Sequence, residues 1–177
     1  MGDLTAPWSA LQFSPDKAVP AGAFTMLDVS HYGGPNHLDL CAIDRPDDAY
    51  DMTIANHVLE HVPDDAAALK ELDRVTRSEG AVFLSVPDLL RVTAIIEYGF
   101  AREDKHGHYR LYGPDLMDRV RAAVPAWHGI GVVATDPVTG APDRATLFTR
   151  SDAVRGMIVR QLTQAGHRPF DAFARLS

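Results

Sequence analysis

The clearest pattern of apolar and polar positions lies in the middle of the chain. Residues 52–55 form a short apolar run that stops at polar residues, which is typical of a buried strand. Residues 64–77 follow with apolar positions at helical spacing and acids in the first turn, and Gly80 is expected to end this helix. Residues 81–86 form a second apolar run. Strand, helix and strand at this spacing predict a βαβ unit with a parallel sheet and a right-handed crossover.

The same reasoning extends along the chain. Strands are predicted at 9–13, 24–29, 37–40, 129–135 and 145–149, and helices at 89–98, 114–124 and 152–165. Residues 103–112 are polar and aromatic and predict a loop. The turn at 136–143 predicts that the last two strands form an antiparallel hairpin. We therefore expect one α/β domain over residues 1–177, with a Rossmann-like, doubly wound, mostly parallel sheet, a C-terminal antiparallel hairpin and three α/β/α layers.

The last predicted helix has Ser151 as its N-cap and Gly166 at its end. Its apolar stripe consists of Val154, Met157, Ile158 and Leu162. Packing of this stripe on the sheet is favoured, and a homodimer seam on the same face stays open as the alternative.

Composition excludes several functions. The 177 residues are 46% hydrophobic and 23% charged, which is ordinary for a globular protein. A net charge of -7 gives no electrostatic footprint for nucleic acid or an anionic membrane, so neither is an expected partner. Cys41 is the single cysteine, which excludes an intramolecular disulfide and a multi-cysteine metal site. With neither a signal peptide nor a membrane-length apolar run in the sequence, a cytoplasmic location is expected.

Candidate chemistry lies where the predicted strands end. In open α/β sheets, ligands bind outside the carboxyl ends of the strands. Four polar residues follow the strand at 52–55 and are expected at that edge: Asn56, His57, Glu60 and His61. Asp28 and Asp39 accompany the two preceding strands, although Asp is also a favoured turn and cap residue. His57 and His61 are candidate general bases because imidazole titrates near neutral pH.

Two stretches carry a resemblance to a known family. The order S-A-L-Q-F-S-P-D, M-L-D-V, H-L-D-L and D-M-T-I-A-N-H-V-L-E-H-V-P-D-D, followed by a helix and E-G-A-V-F-L-S-V-P, resembles the class I S-adenosylmethionine-dependent methyltransferases of the type 11 group. The likeness covers residues 11–87, and the N-H-V-L-E-H-V-P-D-D segment is its specific part. H-Y-R-L-Y-G-P-D-L extends it more loosely. The resemblance implies S-adenosylmethionine as cofactor and methyl transfer to a small-molecule substrate.

The resemblance also implies roles for individual residues. Asp28, followed by Val29, corresponds to the acid that binds the two ribose hydroxyls, and Asp39 with Leu40 corresponds to the adenine position. Asn56 and His57 correspond to the strand end beside the methionine portion. The loop beneath the methionine tail falls within residues 11–16 and includes Phe13, Ser14 and Pro15.

One departure from the family keeps a second function open. The family usually has a glycine-rich loop after its first strand, whereas this sequence has F-S-P-D there. A catalytically degenerate methyltransferase-fold protein, acting as a partner or scaffold subunit, is therefore the alternative. A nicotinamide-dependent enzyme ranks last, because no G-x-G-x-x-G follows a first strand.

Two further predictions concern the histidines. His106, His108, Tyr109 and Tyr112 are candidates for a wall that faces the substrate, with a surface loop as the alternative. Neither H-G-H with Asp104 nor His57 with His61 has a third ligand at a motif spacing, so no metal site is predicted from the sequence.

Overall fold

The protein is built on a seven-stranded mixed sheet. A computed structural model describes residues 7–15, 19, 22–34, 36–87, 89, 91–135 and 142–174. The strand order is β2-β1-β3-β4-β8-β7-β9, and a separate two-stranded sheet is formed by β5 and β6. The strands are β1 (Ser9–Phe13), β2 (Met26–Ser30), β3 (Tyr50–Asn56), β4 (Thr76–Ser85), β5 (Ile96–Arg102), β6 (His108–Leu111), β7 (His128–Thr135), β8 (Pro142–Thr149) and β9 (Phe170–Asp171). The helices are α1 (Asp65–Val75), α2 (Leu116–Ala123) and α3 (Asp152–Gln164), with 3-10 turns at Leu59–His61 and Glu103–Lys105.

Strand direction divides the sheet into two parts. Strands β2, β1, β3 and β4 are parallel, whereas β8, β7 and β9 continue the sheet in antiparallel pairing. The mostly parallel half and the β7–β8 hairpin confirm the predicted fold class. Residues 136–141 of the predicted turn lie outside the described residues.

Helices cover both faces of the sheet. Because side chains alternate along each strand, neighbouring residues pack against helices on opposite faces. On β4, Val82 and Leu84 belong to the core beneath α1 and α2, whereas Ala81 belongs to the core beneath α3. The stripe of α3 packs on the sheet through Val154, Ile158 and Leu162, as favoured from the sequence. Among the described residues, no helix is long and apolar enough to cross a membrane.

Three predicted elements are wrong. Residues 37–40 form only an isolated bridge between Asp39 and Ala42. Residues 96–98, the end of the predicted middle helix, belong to strand β5, and residues 108–111 of the predicted loop form β6. The β5–β6 hairpin has little apolar burial, so its sequence carries no alternating pattern to reveal it.

The first helix ends earlier than predicted. It stops at Val75, and Thr76 already pairs with Tyr50 of β3. Gly80 therefore lies within β4 rather than at a helix end. A Cβ atom at Gly80 would lie 2.5 Å from the carbonyl oxygen of Asp51, so glycine permits the close approach of β4 to β3.

The start of α1 depends on a side-chain cap. Asp64 is the N-cap, and its Oδ1 accepts a hydrogen bond of 2.9 Å from the Ala67 backbone amide. We expect Asp64→Ala to lower the free energy of unfolding by about 1 kcal/mol, because one amide of the first turn loses its partner. Asp64→Asn keeps a capping oxygen and is the control. Urea denaturation measures both variants, and equal losses would contradict the capping role.

Candidate functional site

The carboxyl ends of the four parallel strands meet at one edge of the sheet. Phe13 pairs with Ser30 of β2 and with Ala55 of β3, and Asn56 pairs with Ser85 of β4. The loop after β1 and the polar segment after β3 are consequently neighbours. Ligands of open α/β sheets bind at this edge.

The loop after β1 turns sharply at Ser14. Ser14 has φ of 64°, in the left-handed region that favours glycine, and its amide donates to the Ser30 carbonyl at 3.1 Å. Phe13 is buried, whereas Ser14 and Pro15 are exposed. Ser14 therefore adopts a conformation that costs a residue other than glycine about 1–2 kcal/mol. Asp16, at the end of the predicted segment 11–16, lies outside the described residues.

Asp28 lies within β2 rather than at its end, and the protein's own side chains surround it. Its Oδ2 accepts hydrogen bonds from Arg45 Nη2 at 2.9 Å and from the Tyr50 hydroxyl at 2.8 Å. Its Oδ1 accepts from Asn36 Nδ2 at 2.8 Å. Burial raises the pKa of Asp28, but hydrogen bonds from Tyr50, Arg45 and Asn36 outweigh burial and leave the pKa below its usual value. The carboxylate is thus held charged by three donors.

The residues predicted to bind adenine form a tight turn. Asp39 is exposed, and its Oδ1 accepts a hydrogen bond of 2.8 Å from the Cys41 amide. Leu40 is 3% exposed and packs in the core. Val29 is half-buried, and its carbonyl accepts from Asn36 Nδ2 at 2.8 Å.

The segment after β3 brings Asn56 and His57 to the edge. Asn56 Oδ1 accepts a hydrogen bond from the Ser85 hydroxyl, and the His57 amide donates to the Ser85 carbonyl at 3.1 Å. His57 has φ of 52°, so the backbone turns as the strand ends. The His57 side chain is 42% exposed, and its Nδ1 lies 3.7 Å from Glu60 Oε1.

Glu60 is one of the polar residues predicted at this edge, but the sequence did not predict that it would be buried. It is 1% exposed, and neither of its oxygens accepts a hydrogen bond from the described residues. The rings of His61 and His108 lie nearby in a T-shaped contact, with 4.6 Å between their centroids. Burial lowers the pKa of His108; Glu60 opposes this shift, and the other histidines, His61, His106 and His57, add to it.

The residues predicted as a substrate-facing wall lie in different places. His108 joins the edge through β6, and His106 lies at the exposed turn before it. Tyr112 is wrong as a wall residue, because it is 1% exposed and its hydroxyl donates to Asp65 Oδ2 at 3.0 Å. Its role is to fix the start of α1 within the core.

Part of the chain matches a known protein family. A family model described as a methyltransferase domain, of type 11, matches residues 25–84. A search of the curated proteins finds no match.

Solved structures resemble most of the fold. An S-adenosylmethionine-dependent methyltransferase from Thermotoga maritima has a TM-score of 0.53 and 13% identity, with 84% of each chain covered. The 1,6-didemethyltoxoflavin-N1-methyltransferase of Burkholderia thailandensis, solved with bound 1,6-didemethyltoxoflavin and S-adenosylhomocysteine, has a TM-score of 0.55 and 15% identity over 82% of this chain and 72% of that one. The [4+2]-cyclase SpnF has a TM-score of 0.50 and 17% identity over 75% of this chain and 55% of that one.

The sheet and its helices therefore form the class I methyltransferase fold. The match of residues 25–84 to the methyltransferase domain model agrees with the resemblance found in the sequence over that segment.

Two regions of this edge, the Ser14 turn and the Asn56–His57 segment, suit an adenosyl cofactor. In a third region, Asp28 already accepts hydrogen bonds from the protein's own side chains. The left-handed turn at Ser14 brings backbone to the strand ends without a bulky side chain. Asn56 and His57 present polar groups on the neighbouring strand. At Asp28, the ribose hydroxyls would have to replace donors that the protein itself supplies. The donor set fits the cofactor if this exchange occurs.

Proposed function

We propose that the protein transfers a methyl group from S-adenosylmethionine to a small-molecule acceptor at the carboxyl edge of β1 and β3. The observation that carries the proposal is the juxtaposition of the Ser14 turn with Asn56 and His57 on the adjacent parallel strand. The net charge of -7 disfavours a nucleic-acid acceptor. The methyltransferase of Burkholderia thailandensis, solved with bound 1,6-didemethyltoxoflavin, supports the same class of acceptor.

The proposed roles follow the order of the strands. Phe13, Ser14 and Pro15 would lie beneath the methionine tail, and Asn56 and His57 would flank it from β3. Asp39 would meet the adenine beside Leu40, and Asp28 with Val29 would meet the ribose. The cofactor supplies a methyl group on a positively charged sulfur. The main task of the protein is then to align the acceptor, since orientation contributes about 7–11 kcal/mol to such reactions.

His57 and His61 are the proposed general bases. Both are exposed at the edge, where an acceptor hydroxyl or ammonium group could reach them. Glu60 lies 3.7 Å from His57 Nδ1 and would stabilise the imidazolium that forms when His57 takes a proton.

The alternative is a degenerate member of the fold that serves as a partner or scaffold subunit. The saturation of Asp28 by Arg45, Tyr50 and Asn36 favours it, because that carboxylate is the predicted ribose contact. The SpnF neighbour also demonstrates that this fold serves other reactions.

Calorimetry with S-adenosylhomocysteine distinguishes the methyltransferase proposal from the scaffold alternative. We expect saturable binding by the wild type and a loss of affinity of about 10–100-fold in Asp39→Ala, the effect of one charge-assisted hydrogen bond. Asp44→Ala removes an exposed acid of the same loop and is the matched control, expected to bind as the wild type does. A wild-type protein that does not bind the nucleoside would overturn the proposal and favour the scaffold role.

A further inference from the structure

Histidines surround one buried carboxylate at the corner between β3 and the β5–β6 hairpin. Glu60 contributes a side chain that is 2% exposed, yet both its oxygens lack a hydrogen-bond partner within the described part of the chain. Burying an ionised carboxylate without partners is costly, and such groups are normally paired or coordinate a metal. We therefore expect Glu60 to be stabilised by a positively charged partner rather than by hydrogen bonds alone.

The neighbouring donors are suited to a metal ion. Glu60, His61 and His108 each offer one ligand atom, and these three atoms all lie within 4.8 Å of one another. Ligand atoms bound to one tetrahedral zinc ion lie about 3.4 Å apart, as bond lengths near 2.1 Å require. Small side-chain rotations would bring the three atoms to that separation. Two imidazoles and a carboxylate are a common ligand set of zinc sites.

The backbone explains how residues distant in sequence meet here. Glu60 and His61 belong to the 3-10 turn after β3, and His108 begins β6. Gly107 has φ of 82°, and a Cβ atom there would lie 3.8 Å from His61 Nδ1. The left-handed turn at this position thus brings the start of β6 against the 3-10 turn.

We propose that Glu60, His61 and His108 bind a divalent transition-metal ion of the zinc type. The nitrogen ligands favour such an ion over Mg²⁺ or Ca²⁺, which prefer oxygen ligands only. His61 is exposed, so one side of the site faces solvent and leaves a coordination position open. An ion held by His61 would leave His57, with Nδ1 at 3.7 Å from Glu60 Oε1, as the remaining candidate for the general base.

The inference does not depend on methyl transfer, and its test needs neither cofactor nor acceptor. The competing explanation is that histidines alone neutralise Glu60, with no metal. Titration of chelator-treated protein with Zn²⁺ by calorimetry, and with Co²⁺ by visible absorption, distinguishes the two. We expect one ion per chain and a Co²⁺ spectrum of low coordination number with nitrogen ligands.

The variants distinguish a defined metal site from nonspecific binding of Zn²⁺ to histidines. His108→Ala and Glu60→Gln are expected to weaken Zn²⁺ binding by more than about 100-fold, since second-shell changes alone cost 10–100-fold. His167→Ala removes a histidine outside the cluster and is expected to bind as the wild type does. Circular dichroism verifies that each variant is folded.

A second measurement keeps the test valid if one variant is unstable. Zn²⁺ should raise the thermal midpoint of the wild type and of His167→Ala, but not that of Glu60→Gln. Absence of Zn²⁺ binding by the wild type, or equal binding by His108→Ala and His167→Ala, would overturn the proposal.

Discussion

Arg110→Ala is expected to lower the free energy of unfolding by about 3–5 kcal/mol, which is the usual effect of removing one partner from a buried ion pair. The Arg110 side chain is 5% exposed. Its Nη1 donates to the Val62 carbonyl at 2.7 Å, and its Nη2 donates to the Pro63 carbonyl at 2.8 Å. Its Nε lies 3.1 Å from Glu97 Oε2. Its buried ion-pair partner is Asp65, whose Oδ2 lies 3.6 Å from Nε and whose side chain is 10% exposed. The substitution would remove this pairing and leave the buried Val62 carbonyl without its donor.

A second arginine of the same hairpin provides a matched control. Arg102 Nη2 lies 2.6 Å from Asp104 Oδ2, which is a shorter ion pair than any that Arg110 makes. That pair is exposed, with side-chain exposures of 38% and 59%. Because solvent screens exposed pairs, we expect Arg102→Ala to leave stability unchanged within error. Urea denaturation followed by circular dichroism measures both variants, and equal effects would contradict the argument that burial sets the energy.

Arg110 also links stability to the edge of the sheet. Val62 and Pro63 follow the 3-10 turn that carries Glu60, and Arg110 follows His108 on β6. Loss of the arginine would therefore remove the hydrogen bonds that join the β5–β6 hairpin to the segment after the 3-10 turn. Any Zn²⁺ affinity of the edge should fall in Arg110→Ala although no proposed ligand is changed.

The sequence predicted the features that depend on local patterns. The β3–α1–β4 unit followed from apolar spacing, and α3 followed from its cap and stripe. The β5–β6 hairpin was missed because most of its residues are exposed, so burial imposes no alternation on them. The partners of Asp28 and the approach of His108 to Glu60 depend on contacts between distant segments, which no local pattern encodes.

Asp28→Asn is expected to lower the free energy of unfolding at pH 7 by about 1.5–3 kcal/mol, the usual contribution of hydrogen bonds to a charged group. The carboxylate accepts from Arg45, Tyr50 and Asn36, and the amide nitrogen of the variant would face one of these donors. Asp44→Asn changes an exposed acid near Arg45 and is the control, expected to match the wild type.

The effect of Asp28→Asn should depend on pH with a definite sign. The pKa of Asp28 in the folded protein is lower than its ordinary value of 3.8. A depressed pKa contributes stability that is present above the pKa of the unfolded chain and is lost as pH falls through the lower, folded pKa. The stabilities of the wild type and Asp28→Asn should therefore differ at neutral pH and converge below about pH 4. A difference that stays constant from pH 7 to pH 3 would contradict the charged network.

The same variant tests whether Asp28 serves the cofactor as well as the fold. If ribose hydroxyls replace Tyr50 and Asn36 at this carboxylate, S-adenosylhomocysteine should bind the folded Asp28→Asn protein at least about 10-fold more weakly. If the affinity is unchanged while stability falls, Asp28 holds only the loop that carries Arg45. The ribose would then be bound elsewhere, since charge-assisted hydrogen bonds to a nucleoside cannot be removed without loss of affinity.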